Sequence, residues 1–285
     1  MLADAIRSEA YRLSRNRTVL SWSLIFVPVV VLAFSIGGAF FDAKVERMAE
    51  QLPPQLAAAN SVLDLGAAVV SAAGQLANPA LLAFLLIGAA TIFAGDYRWE
   101  TWRLITARNS RANLILGKAG AVKLMTLTGL LLFLIAALIG ALAKGLILDR
   151  DLVFRFGGEE ARNFGLLFLL AYVRVIQFLL LSLLAATLTR SQLAALFVPL
   201  VVGVAQGLLV TATPILGWSP VDWQTLLLFP GAAYETLKAI VVGGIPAAVL
   251  QDGIAWRAIA SLALWSFVPF GLTLWWFGRQ DLSKE

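Results

Sequence analysis

Neither cysteine nor histidine occurs in the 285 residues, and only 14% of the chain is charged. The first absence removes disulfides, thiol nucleophiles, Cys/His zinc sites and imidazole bases together. The second sets the chain apart from soluble domains, which carry nearly twice that share of charge. What fills the space is apolar: 60% of residues are hydrophobic. They gather into runs near the ~20 residues that span a bilayer core.

Six runs read as spanning helices, over about 19–41, 77–95, 124–143, 164–188, 193–213 and 258–277. In lipid a helix satisfies its own backbone at these lengths, so the predicted fold is an all-α, polytopic membrane protein. Pro28, Pro199 and Pro269 lie inside runs and predict kinks. The first run follows Arg7, Arg12, Arg15 and Arg17, as in a secretory signal. It exceeds a signal's apolar length, and no small-residue cleavage site follows, so it reads as a retained first helix.

Lys and Arg are distributed unevenly. Segments 1–18, 96–123, 189–192 and 278–285 hold more bases than acids, whereas 42–76, 144–163 and 214–257 hold more acids than bases. The basic side is expected to be cytoplasmic, which places both termini there. The formal net charge of +5 reflects this asymmetry and gives no sign of a nucleic-acid partner.

The whole chain reads as one transmembrane domain, 1–285, with three special segments. In 1–18, Leu2, Ile6, Ala10 and Leu13 recur at helical spacing with arginines on other faces, which suits an interfacial helix against anionic headgroups. In 214–257, apolar Trp-bearing pieces are cut by Pro214, Pro220, Pro230 and Pro246. None reaches spanning length, so they read either as a broken re-entrant hairpin or as an amphipathic hairpin on the surface. Pro53-Pro54 divides 42–76 into two short helical pieces, and a brief hairpin is expected around Gly157-Gly158. The acidic residues of 144–163 read as a solvated loop balanced by Arg150, Arg155 and Arg162. Most tryptophans, among them Trp22, Trp256 and Trp275, stand near run ends as interfacial anchors.

The third segment is "GDYRWETWRLITARNSRANLILGKAG", residues 95–120. Acids come early (Asp96, Glu100) and bases late (Arg103, Arg108), an order that complements a helix dipole over roughly 97–107. Trp99, Trp102, Leu104 and Ile105 are too apolar for a solvated tip, and the charges forbid deep burial in lipid. A short amphipathic helix between membrane surface and a protein partner meets both demands. Ser110 is expected to start the next helix.

The run "FAGDYRWETWRLITARNSRANLILGK", residues 93–118, resembles the segment after the second membrane helix of ABC-2-type transporter permeases. The resemblance rests on Asp96, Tyr97, Arg98, Thr101, Arg103, Leu104, Ser110, Arg111, Gly117 and Lys118. Six spans, an interfacial N-terminal helix and a broken hairpin between spans five and six extend it over nearly the whole chain. It implies a coupling segment, 96–123, that docks on a separate ATP-binding subunit through Asp96, Tyr97, Arg98, Trp99, Glu100, Trp102, Arg103 and Arg108. It implies an outer-gate hairpin at 214–257, and two permeases, as a homodimer, working with two ATPases in the bacterial inner membrane. ATP and magnesium would sit on the partner subunit, with no cofactor on this chain. The Gly-Lys pair at 117–118 is not a P-loop: Ala112 stands where glycine is needed, and Ala119 where Ser or Thr must hold magnesium.

Two further groups stand out. Arg174 falls near the middle of the fourth run with Gln177 one turn on. A cation at that depth costs about 2.5–3.5 kcal/mol unless it faces protein or water. It reads as part of the translocation path or as a structural pair with an outer acid. Gly203-x-x-x-Gly207, with Gln206 between, permits close helix approach. With Gly37 and Gly38 on the first run, the family resemblance makes these candidates for a subunit interface between helices one and five. The rival functions are an intramembrane enzyme, which lacks its usual acid–base groups, and an ion-coupled secondary transporter. The six runs as drawn contain no carboxylate for a coupling ion.

Overall fold

The computed structural model describes residues 2–49, 62–99, 101–106, 109–244 and 253–281. Among these, six helices are long and apolar enough to cross a membrane: Arg17–Met48, Pro79–Arg98, Arg111–Ile147, Gly158–Thr189, Gln192–Leu216 and Ile254–Arg279. The all-α polytopic expectation holds, with spans longer than the apolar runs because polar turns continue the helices past the oil. The elements are α1 (Leu2–Arg15), α2 (Arg17–Leu20), a π-helical turn (Ser21–Phe26), α3 (Val27–Ala49), β1 (Val62–Asp64), α4 (Leu65–Gly74) and α5 (Pro79–Arg98). They continue with α6 (Trp102–Thr106), α7 (Arg111–Ile147), β2 (Asp151–Val153), α8 (Gly158–Thr189), α9 (Gln192–Ala212), α10 (Trp223–Leu228), α11 (Pro230–Val241) and α12 (Ile254–Arg279).

Helix starts follow their caps. Asn78 accepts from the Leu81 amide at 2.9 Å, with Pro79 following at N1. Ser110 caps α7 through the Asn113 amide and Ser191 caps α9 through the Ala194 amide, each at 3.3 Å. Arg190 adopts the left-handed conformation (φ 57°), so α8 and α9 reverse tightly and pack side by side. Pro28 lies just after the π turn, where the proline ring and missing N–H disturb the helix ladder. Pro199 and Pro269 lie inside α9 and α12, which continue through them.

The helix α5 is the centre of the bundle, packing against α7, α8, α9 and the π turn. Two-thirds of its apolar window is buried, against 17% for the α2–α3 and α9 spans. Its small residues permit this: a Cβ on Gly88 would stand 2.7 Å from both Met125 Sδ and Ser23 Oγ. The outer faces of α3 and α9 stay apolar and uncovered, with Phe34, Phe41, Val201 and Leu208 all exposed.

At the end of the bundle opposite the chain termini, β1 and β2 form a two-stranded parallel pair, Val62 opposite Asp151. Asp64 caps α4 and also accepts from the Arg155 amide at 3.2 Å. Lys144–Asp42 (2.8 Å) and Arg150–Glu46 (2.5 Å) tie α3 to the end of α7 and the turn after it. The hairpin expected at Gly157-Gly158 is replaced by a helix start. The Gly157 amide donates to Glu160 Oε2 at 2.9 Å, and α8 begins at Gly158. Pro53-Pro54 and Pro246 lie outside the described residues.

Candidate coupling site and central cavity

The segment expected to be one helix over 97–107 is two. The α5 helix runs on through Asp96 and Tyr97 to Arg98, Trp99 closes it, and α6 starts afresh at Trp102. Burial explains the break. Asp96 has no exposed surface, and its carboxylate is fixed by Lys118 Nζ at 2.5 Å, by Arg12 Nη2 at 2.9 Å and by the Thr101 hydroxyl. Lys118, equally buried, also meets Glu9 at 3.3 Å and donates to the Ile92 carbonyl at 2.8 Å. Two acids and two bases therefore join α1, α5 and α7 at one point. Isolated burial of any one of these charges would cost several kcal/mol.

Above Lys118 lies Trp102, almost fully buried, with the ammonium 5.1 Å from its ring centre. Its ring packs on Phe277 at 4.6 Å and Tyr97 at 5.3 Å. The Tyr97 hydroxyl lies 3.0 Å from Gln280 Oε1, and Arg111 Nη1 donates to the carbonyls of Phe277, Gly278 and Gln280. The C-terminal end of α12 thereby joins the same knot.

Asp96, Tyr97 and Trp102, assigned from sequence to contact with a partner, thus face inward in this structure and act as anchors. Trp99 and Arg98 point out: Trp99 is 70% exposed, with the Arg98 guanidinium 5.3 Å from its ring. Glu100 and Arg108 lie outside the described residues, as does the side chain of Arg103.

The N-terminal helix α1 is held by protein through a face that shares Ile6 and Leu13 with the apolar spacing and adds Ala5 and Glu9 to it. Ala5, Glu9 and Leu13 are buried against α7, and Leu2 is exposed. Gly117 and Gly120 make the seat: a Cβ there would meet Ala5 Cβ or Ile6 Cγ1 at 2.8 Å. Sequence reading missed Arg12 as a partner of Asp96 and Glu9 as a partner of Lys118. The available signal was an acid and a lysine, each at the same end of a neighbouring apolar run.

The second site lies in the middle of the bundle. Arg174 of α8 places Nη1 3.1 Å from Gln177 Oε1 and Nη2 3.4 Å from Gln206 Oε1 of α9, with its guanidinium 4.4 Å from the centre of the Phe178 ring. Gln177 spends its amide on the Leu262 carbonyl of α12 at 2.8 Å. The tip of the α10–α11 hairpin reaches this depth, since a Cβ on Gly231 would stand 3.2 Å from Arg174 Nη2. Trp265 Nε1 secures the hairpin by donating to the Leu227 carbonyl at 2.9 Å.

Arg174, Phe178, Gln206 and Gly231 border a cavity of about 880 Å³ between α5, α8, α9 and the hairpin. Gly203, Gln206 and Gly207, assigned from sequence to a subunit contact, all line it. Gly203 lies under the Phe178 ring, where a Cβ would come to 3.0 Å. Gln206 is buried toward Arg174. Gly37 and Gly38 stand on the uncovered side of α3 with open space where a Cβ would go. The structure therefore joins Arg174, Gln177, Gly203, Gln206 and Gly207 into one site and leaves Gly37 and Gly38 apart. Phe178, Gly231 and Tyr234 are cavity residues that the sequence reading did not name.

Residues 6–282 match the family model described as ABC-2 family transporter protein. A search of the curated proteins returned no match.

Proposed function

From the premise that the chain belongs to the ABC-2 transporter family, whose members are generally the permeases of ABC transporters, we propose that it is the membrane-spanning subunit of an ATP-driven exporter. In this reading the basic end of the bundle, with both termini, is cytoplasmic, and the membrane is a bacterial inner membrane. A separate ATPase subunit, which holds ATP and magnesium, docks on the 96–108 segment. Two permeases, as a homodimer, and two ATPases make the working unit, with the bare faces of α3 and α9 available for lipid or for the second copy.

The observation that carries this reading is the pairing of an exposed grip with a rigid root. Trp99 stands out from the protein, and three residues behind it Asp96 is locked to α1 and α7. A force applied at Trp99 and the adjoining loop is transmitted to three helices rather than absorbed by a flexible tip. For ATP to drive the bundle, the ATPase must bind this end with different affinity in the inward- and outward-facing states.

The test is co-purification and reconstitution with the ATPase. Trp99→Ala is expected to lower transport and transport-coupled ATP hydrolysis about ten-fold, the order expected for an interface aromatic anchor, while insertion and thermal stability stay unchanged. Glu100→Ala and Arg103→Ala are expected to uncouple hydrolysis from export in the same way. Transport by the purified chain without any ATPase, or labelling that puts the 96–108 loop outside the cell, overturns the reading.

A further inference from the structure

The cavity beside Arg174 carries a ligand chemistry of its own. Most of its wall is apolar, including Leu82, Phe178, Leu200, Val204 and Val210. Its about 880 Å³ falls within the ~300–1,000 Å³ of small-ligand sites. The volume is enough for one apolar tail. Into this wall projects one guanidinium. Its direct protein contacts are two glutamine carbonyl oxygens and an aromatic face, which orient it without neutralising it, and Glu235 on the same wall attracts it without reaching ion-pair distance.

A guanidinium has five N–H donors in a planar fork. Two are taken by Gln177 and Gln206. The nearest acid on the cavity wall, Glu235, forms its ion pair with Lys238 at 3.8 Å. Among the described residues no carboxylate forms an ion pair with Arg174. A cation at this depth is held by facing protein, and intramembrane cations of this kind mark ligand pathways by default. The glutamines hold the fork still, and Gly231 keeps the space beside Nη2 free of a side chain. That arrangement suits the bidentate acceptance of a carboxylate or phosphate oxygen pair.

From this geometry we infer that the cavity binds a single-chain amphiphile with one anionic head group, head on Arg174 and tail along α5 and α9. This names the substrate class of the transport reading above and rests on it for the direction of travel. Binding itself requires only the permease chain.

The experiment uses the purified full-length chain without ATPase or nucleotide, so it is separable from the test of coupling. Bound cis-parinarate, a fluorescent fatty acid, is displaced with palmitate, hexadecyl phosphate or hexadecanol. The better of the two anions is expected to displace the probe at about one-tenth the concentration of the alcohol or less, a difference of ~1.4 kcal/mol. Its identity tells carboxylate from phosphate. Arg174→Gln is expected to remove the advantage of the anions while leaving hexadecanol unchanged. Gly207→Leu is expected to weaken all three, because a side chain at Gly207 enters open cavity without striking protein. Failure of the chain to bind cis-parinarate overturns the inference, as do equal displacement by alcohol and anions, an anion preference retained in Arg174→Gln, and unchanged binding in Gly207→Leu.

Discussion

At Lys118 the cost of burying an ammonium is met by two carboxylates, a backbone carbonyl and an aromatic face. Removing the ammonium leaves Asp96 inside the protein with Arg12 as its remaining cationic partner. Lys118→Met is therefore expected to destabilise the chain by about 3–5 kcal/mol, the usual result of breaking a buried pair from one side. The double variant Asp96→Asn/Lys118→Met removes both charges and is expected to regain most of the loss, since a neutral replacement of the pair is often tolerated. Thermal unfolding of the wild type and three variants in one detergent gives the cycle; additive losses would show that the two residues do not act as a pair. Asp64 offers a contrast at the opposite end of the molecule. The Arg155 amide, and after it those of Gly66 and Ala67, hold its carboxyl below the usual carboxylate range. A depressed folded-state pKa means that the contribution is complete above the unfolded value of ~4 and is lost as pH falls through the lower folded value. Hydrogen exchange at Gly66 and Ala67 should therefore stay slow at pH values where an ordinary aspartate has begun to protonate. Asp64→Asn should remove that pH dependence.

Among the elements, α1 depends on a seat without side chains. Gly117 and Gly120 bring α7 close enough for Ala5, Ile6 and Glu9 to reach it. Gly117→Leu is expected to push α1 off this face and separate Glu9 from Lys118. Limited trypsin digestion would then cut at Arg7, Arg12 and Arg15 several-fold faster. Gly271→Leu is the matched control, because a Cβ there meets nothing within 4 Å. Element identity was largely legible in the sequence: apolar runs gave all six long helices, and the Ser110 cap and the turn at 189–192 were readable from local chemistry. The end of α5 at Arg98 and the fresh start of α6 at Trp102 were not. Charge order across 96–108 favours a continuous helix, and what divides it is tertiary: Asp96 is drawn inward to Lys118 while Trp102 must turn to meet Phe277. The role of α1 was half legible for a related reason. Its apolar spacing pointed to a lipid-facing stripe, but Glu9 belongs to the buried face because its charge is answered by a lysine over a hundred residues away. Nothing local in the sequence reports such a match.

On the scale of the whole molecule, the two sites lie at different depths of one bundle and share α5. The charged knot fixes α1, α5 and α7 together, and Arg111 clamps the end of α12 to the start of α7 through three carbonyls. The cavity wall is built otherwise: α9 meets Arg174 through one hydrogen bond, which Gln206 accepts, and the hairpin leans on α8 and α12. A bundle made this way has a stiff basic end and a looser wall around the chamber. Motion imposed at the stiff end can change the chamber only through helices that the clamps make move together. Arg111 is the separable part of that linkage, because it lies outside both the exposed grip and the cavity. Arg111→Ala removes the clamp on α12 and leaves Trp99 and Arg174 in place. In a reconstituted complex, the ATPase is expected to bind and hydrolyse ATP at its basal rate, while stimulation by substrate and transport fall together by about ten-fold, as for loss of roughly 1.4 kcal/mol of coupling free energy. Normal substrate stimulation in this variant, with α12 still held by Trp102 on Phe277 and by Tyr97 on Gln280, would show that the Arg111 clamp does not carry the linkage.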